Sequence, residues 1–160
     1  MNKFYADSML GKLSRFLRFL GYDTIYRSEE KVEEMLELSL KENRTVLSQS
    51  KQIIAQCSKR NIKSLNMPTK SITDQLRKLN SHLDLSLDVP PSKMRCSICN
   101  GGLKGREKTE IIDQIPKGTA KFYNDFWQCT SCKKIFWMGS HWEDIKKIIE
   151  KSKISEENEN

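Results

Sequence analysis

No run of apolar residues in the 160-residue sequence approaches the roughly 20 that a membrane-spanning helix needs, and the N-terminus lacks the basic, apolar and small-residue order of a secretory signal. These absences set the expectation of a soluble, cytoplasmic protein with no membrane partner. Cysteine is scarce: five residues, in two close pairs plus the isolated Cys57. That odd count argues against a disulfide framework and suits metal ligation with one spare thiol in a reducing compartment. Internal repeats are missing as well, so no repeat array is expected.

Acidic residues fall short of basic ones, and the formal net charge is +7. Residues 1–94 hold 16 Lys/Arg against 11 Asp/Glu, whereas residues 95–160 hold 12 against 10, so the excess sits mainly in the first part. Positive charge of this kind favours polyanions, because neutralised phosphates release their counterions. With 37% apolar residues, the chain is long enough for one core of roughly 100 residues and a small satellite module.

Apolar periodicity supplies the elements. A short strand over 4–6 is followed by Asp7 and a helix over 9–20, in which Leu10, Leu13, Leu17 and Leu20 face a core while Lys12 and Arg15 are directed elsewhere. Gly21 closes that helix as a left-handed cap. Further strands are expected at 24–26, 45–47 and 62–65. Helices are expected at 29–42, with Val32, Met35, Leu36 and Leu40 as its buried stripe, at 51–59 and at 72–79. Strands alternating with helices imply an α/β fold with a mostly parallel sheet. Pro90-Pro91 breaks the pattern, which sets a first domain over 1–90 and a second over 94–150 that ends in a helix from Trp142. The stretch 151–160 is expected to be a flexible tail, disordered over 155–160.

Cys96-Ser97-Ile98-Cys99 and Cys129-Thr130-Ser131-Cys132 are two CxxC knuckles. Each aims two thiolates at one point within a tight turn, and four thiolates at about 2.3 Å complete a closed tetrahedral zinc site with no open position for water. A redox pair would instead follow a strand and open a helix. Arg95, Lys133 and Lys134 offset part of the thiolate charge. The aromatic residues around the second knuckle, among them Phe122, Tyr123, Phe126, Trp127, Phe136, Trp137 and Trp142, are expected to cover the metal or dock the module, with base stacking as the alternative. His141 is surplus to four sulfurs and is expected to make a structural hydrogen bond. Cys57 is expected to pack as a small apolar residue.

Asp7 directly follows the first strand, and the carboxyl ends of parallel strands form the crevice where ligands bind. A helix-capping role is the competing reading. The run Asp7-Ser8-Met9-Leu10-Gly11-Lys12-Leu13 with Arg15-Phe16-Leu17-Arg18-Phe19-Leu20-Gly21-Tyr22-Asp23-Thr24 resembles the opening of the Mut-seven C-terminal RNase domain family, a PIN-like ribonuclease domain fused to a zinc ribbon. Asp74-Gln75-Leu76, both knuckles and Gly139-Ser140-His141 continue the resemblance.

The resemblance implies RNA as partner, a structural zinc on the four cysteines, and magnesium or manganese held by acidic residues. Asp7 would be the first of these and Glu33 or Glu34 the second; apart from the resemblance, Lys12, Arg15, Arg18 and Lys51 are the candidate RNA contacts. One departure stands out: Ser48-Gln49-Ser50 occupies the place of Thr-Arg-Asp, so Ser50 replaces an expected aspartate and Gln49 a possible phosphate contact. A hydroxyl carries no charge, and a magnesium ion on one or two carboxylates keeps most of its water. Two-metal hydrolysis would suffer most. Three readings therefore stand: a metal-dependent endoribonuclease with a depleted acidic site; a catalytically inactive RNA-binding or ribonucleoprotein-associated module, the ribosome included; and a zinc ribbon that binds another protein.

Overall fold

A computed structural model describes residues 2–88 and 93–153. The expected boundary at 89–93 therefore lies, apart from Lys93, outside the described residues, as does the expected disorder at 155–160. Four parallel strands, β1 (Lys3–Ala6), β2 (Asp23–Tyr26), β3 (Thr45–Ser48) and β4 (Ser64–Asn66), form one sheet in the order β2-β1-β3-β4. The helices between them are α1 (Gly11–Phe19), α2 (Val32–Glu42) and α3 (Lys51–Lys59), and α4 (Ile72–Leu83) follows β4. This is the expected α/β architecture with a parallel sheet.

Strand alternation feeds two cores. Phe4 and Ala6 of β1 and Leu47 of β3 pack with Leu13, Leu17, Leu76 and Leu79 from α1 and α4. Tyr5 and Val46 point to the other face, where Met35, Leu36, Cys57 and Ile62 meet them. Cys57 is fully buried there, as expected of a small apolar side chain. Gly21 has φ 87°, and a Cβ on it would come within 2.5 Å of the Lys93 carbonyl oxygen, so it caps α1 and admits the returning chain.

Two expectations are corrected. A helix from residue 29 does not form, because Lys31 is the extended N-cap of α2 and residues 29–31 precede the helix. Nor do Val32 and Leu40 belong to the buried stripe: they are 37% and 57% exposed, since Val32 only opens the helix and Leu40 turns to its flank. Met35, Leu36 and Ser39 are buried instead.

The second unit is a three-stranded antiparallel sheet of β5 (Leu103–Arg106), β6 (Phe126–Cys129) and β7 (Ile135–Trp137). Two short helices, α5 (Lys108–Ile111) and α6 (Lys117–Phe122), fill the long connection between β5 and β6. Ile111, Ile115 and Phe126 are its small core. The last helix, α7 (Ser140–Lys153), packs on α4, and its Ile149 is buried in the first core. It extends three residues into the stretch expected to be a tail.

Candidate nucleic-acid crevice and metal centre

In a parallel sheet of order β2-β1-β3-β4, chain connections diverge between β1 and β3, and the crevice opens at the carboxyl ends of those two strands. Asp7 and Ser48 stand there side by side. Asp7 is 6% exposed, its N–H donates to the Leu47 carbonyl at 3.0 Å, and its Oδ1 accepts from the Met9 N–H at 3.0 Å. The Ser48 hydroxyl donates to Asp7 Oδ2. Asp7 is thus both the capping residue of the turn Ser8–Leu10 that leads into α1 and the acid at the crevice floor.

The loop after β3 is built from hydroxyls and an amide. The Ser50 N–H donates to Ser48 Oγ at 2.9 Å, and Ser50 Oγ caps α3 by accepting from the Ile53 N–H at 3.4 Å. Gln49 donates its amide to the Pro68 carbonyl at 3.0 Å, tying this loop to the one after β4. Lys12 in the first turn of α1, Arg15 one turn on, and Lys51 at the first position of α3 are all exposed and make no ion pair with any described residue. Two helices thus present free cations beside one acid.

The four cysteines of the knuckles converge. Their sulfurs all lie within 4.8 Å of one another, with Cys96 and Cys132 3.6 Å apart and Cys99 and Cys129 3.4 Å apart. These separations exceed a disulfide bond of about 2.05 Å. They match the edge of about 3.8 Å of a tetrahedron with 2.3 Å metal–sulfur bonds. Both knuckles share one backbone plan. Cys96 N–H donates to Gly101 O and Asn100 N–H to Cys96 O, as Cys129 N–H donates to Lys134 O and Lys133 N–H to Cys129 O.

Asn100 and Lys133, each following the second cysteine of its pair, both take a left-handed backbone with φ 68° and 64°. Gly101 lets the knuckles approach, since a Cβ there would lie 2.9 Å from Cys129 Sγ and 2.7 Å from Ser131 Oγ. Burial, the largest influence, pushes the Cys96 thiol up to about 12. Burial acts upward on Cys129, but the N–H groups of Cys132 and Ser131 and the Cys99 and Cys132 sulfurs together outweigh it and bring that thiol down to about 6. Thiol protons held in this way are released when a metal binds. The all-sulfur donor set at this spacing fits a structural tetrahedral ion.

Arg18 fastens this cluster to the first unit. It is 4% exposed. Its Nε donates to Thr24 O at 2.9 Å and its Nη1 to the carbonyls of Ser97 and Ile98, inside the first knuckle, at 2.9 and 3.0 Å. Asn100 adds a second link, accepting from the Thr24 N–H at 3.1 Å and donating to Asp23 Oδ1 at 2.8 Å. The Arg44 guanidinium also reaches Asp23 Oδ1 at 2.8 Å.

The family model described as Mut7-C RNAse domain matches residues 2–149. The chain belongs to the Mut7-C RNAse domain family. No curated protein and no solved structure matches the chain. Membership brings a ribonuclease-like function and RNA as substrate class to this fold.

Among the described residues, the acids that the Mut7-C resemblance implies do not form a cluster of three. Among the described residues, the four cysteines form a group of metal-ligand type, and no three acidic groups gather around Asp7. Glu33 is exposed and forms a bidentate pair with Arg60 at 2.6 and 2.8 Å, which lowers its pKa. Glu34 is exposed in a shallow pocket with Tyr26, Arg27 and Glu30. Asp74 closes a capping box with Ser71 at the start of α4. Asp23 aligns with Lys3 at the opposite end of the sheet from Asp7.

The expectation that Arg18 faces RNA is corrected: the residue is buried, and its Nε and Nη1 donate to three carbonyl oxygens. His141 is exposed and makes no hydrogen bond to a described residue, so the structural bond expected of it is not formed.

One acid escaped the sequence reading. The Glu30 side chain is 5% exposed, and its Oε2 is buried with no partner while Oε1 accepts from Arg27. Burial and the neighbouring Glu34 raise its pKa. Among the described residues, no helix is long and apolar enough to cross a membrane.

Proposed function

We propose that this Mut7-C chain binds RNA along the crevice at the carboxyl ends of β1 and β3 and does not hydrolyse it by a two-metal route. The observation that carries this reading is the engagement of the crevice residues. Ser50, in the place of an aspartate, caps α3, while both carboxylate oxygens of Asp7 accept protein hydrogen bonds. Two-metal hydrolysis needs carboxylates that clamp two ions about 3.5–4 Å apart. One acid beside two hydroxyls and an amide does not provide them. Lys12, Arg15 and Lys51 supply the attraction to phosphate.

In this reading residues 1–90 are a PIN-like domain and residues 94–150 a zinc ribbon. The ion on Cys96, Cys99, Cys129 and Cys132 is zinc in a structural role, and no step of RNA recognition passes through it. The test is RNA affinity against salt. Lys51→Gln and Lys12→Gln are each expected to weaken binding and to flatten the slope of log affinity on log salt by about one unit per lost phosphate contact. Unchanged slopes in both variants would remove the crevice from RNA binding.

A second reading has one observation in its favour. The buried Glu30 Oε2 is unpartnered, and Glu30 shares a pocket with Tyr26, whose hydroxyl donates to the carbonyl of Ser8, next to Asp7, at 3.2 Å. A single magnesium or manganese ion between Asp7 and the glutamates would support slow cleavage. Manganese-dependent cleavage that disappears in Glu30→Gln would establish that reading.

A further inference from the structure

Between the β5-β6-β7 sheet and the first unit lies an apolar cavity of about 260 Å³. Phe19 of α1 and Trp142 of α7 form one wall, their rings edge-to-face at 6.2 Å. Trp127 and Phe136, cross-strand partners, stand on the other, and the exposed Lys134 and His141 are among the remaining lining residues. The ribbon buries its own core on the opposite face of the sheet, through Phe126, Ile111 and Ile115. This second aromatic face is therefore not needed to close that core.

The ligand chemistry follows from what the cavity offers. Its volume lies below the 300–1,000 Å³ of pockets for drug-sized ligands, so one flat heterocycle is the matching size. The residue across from Trp127 on β5 is Gly105, and a Cβ there would meet nothing within 4 Å, so that flank of the indole is bare. Lys134 has no ion-pair partner, and neither His141 nor the indole N–H groups of Trp127 and Trp142 have a hydrogen-bond partner among the described residues. An apolar peptide side chain would use none of these donors. A nucleobase would use both kinds of feature, its faces on the rings, its edge on the N–H groups and its phosphate on the lysine. Duplex RNA keeps its bases stacked inside and presents mainly phosphate and hydroxyl groups.

We infer that this cavity is a binding site for one unpaired base of single-stranded RNA, distinct from the crevice at Asp7. The inference rests on the RNA reading above and adds to it a preference for unpaired strands. The experiment compares three probes on the metal-loaded full chain: a short oligouridylate, the same oligomer made abasic, and a duplex of equal length. Wild type is expected to bind the oligouridylate most tightly. Trp127→Leu is expected to lose on the order of tenfold in that affinity, as base–aromatic stacking predicts, and to bind the abasic strand and the duplex as wild type does.

A Cβ at Gly105 meets nothing within 4 Å, so Gly105→Leu serves as the variant expected to fold, and with its side chain beside Trp127 it is expected to show the same selective loss. If both variants bind oligouridylate as wild type does, the inference is overturned, the result expected if an apolar protein segment occupies the cavity. Crevice binding would then still stand or fall on Lys51→Gln, which weakens all three probes. A wild type that binds none of the probes overturns both.

Discussion

Replacing Arg18 by methionine separates a strut from an RNA contact. Arg18 is 4% exposed, and its guanidinium donates three hydrogen bonds to carbonyls that no other described side chain serves. Methionine fills much of the volume but leaves those oxygens without their donor. Hydrogen bonds involving a charged group contribute about 1.5–3 kcal/mol each. Removing a buried cation also relieves its desolvation, which here lowers the arginine's own pKa against the pull of Cys96 and Cys99. The net expected loss is ~3 kcal/mol, a fall in Tm of roughly 6–12 °C for a chain of this size. Arg18→Lys should recover only part of it, because one ammonium cannot span the Thr24 carbonyl and the two knuckle carbonyls. Thermal unfolding of the metal-loaded protein measures the loss, and competition with a chelator should show weaker metal retention. A Tm within 1 °C of wild type, with RNA affinity reduced instead, would refute the strut and restore Arg18 to the RNA surface.

Cys96→Ser should release the metal and unfold the second unit, because metal binding and folding of such modules are one equilibrium; unchanged metal content after gel filtration would contradict the four-sulfur site. Gly101→Ala should weaken metal retention and cost about 1–3 kcal/mol, since its Cβ would press on Cys129 Sγ at 2.9 Å; wild-type stability would show that the knuckles separate freely. Acid should loosen the contact between the two units through Asp23. Burial pushes that carboxyl up, but hydrogen bonds from Arg44 and Asn100 together with the charges of Arg44 and Arg95 outweigh it and hold the pKa below the ordinary 3.8. Its stabilisation is therefore complete above that value and is lost as the pH falls through the depressed one. The Tm advantage of wild type over Asp23→Asn should shrink below about pH 4, and an advantage constant down to pH 2 would count against the ion pair.

Local signals carried much of the architecture. The strands begin and end within two residues of their expected limits, and α3 runs over Lys51–Lys59 as its periodicity implies. Gly21 takes the left-handed cap expected of it, and the two CxxC pairs bring their four sulfurs together. What sequence could not supply was long-range. Arg18 lies on the same helix as Lys12 and Arg15, and only the arrival of Ser97 and Ile98, some 80 positions away, makes it an interior residue. Glu30 was hidden by the assumption that α2 began at residue 29, and the late start at Val32 sets it before the helix. Helix α7 has an apolar stripe of its own, but nothing local says that Ile149 returns to α4 and the first core. The aromatic cavity is a product of that return.

At the crevice, Asp7 answers to both of its competing descriptions at once, as cap and as acid. The measurement that bears most directly on RNA binding without cleavage is a paired assay of wild type and Asp7→Asn with a labelled single-stranded RNA and manganese, following affinity and cleavage in the same samples. Retained binding with no cleavage product from either protein is the expected result. Cleavage by wild type that Asp7→Asn abolishes, with binding intact, would contradict it.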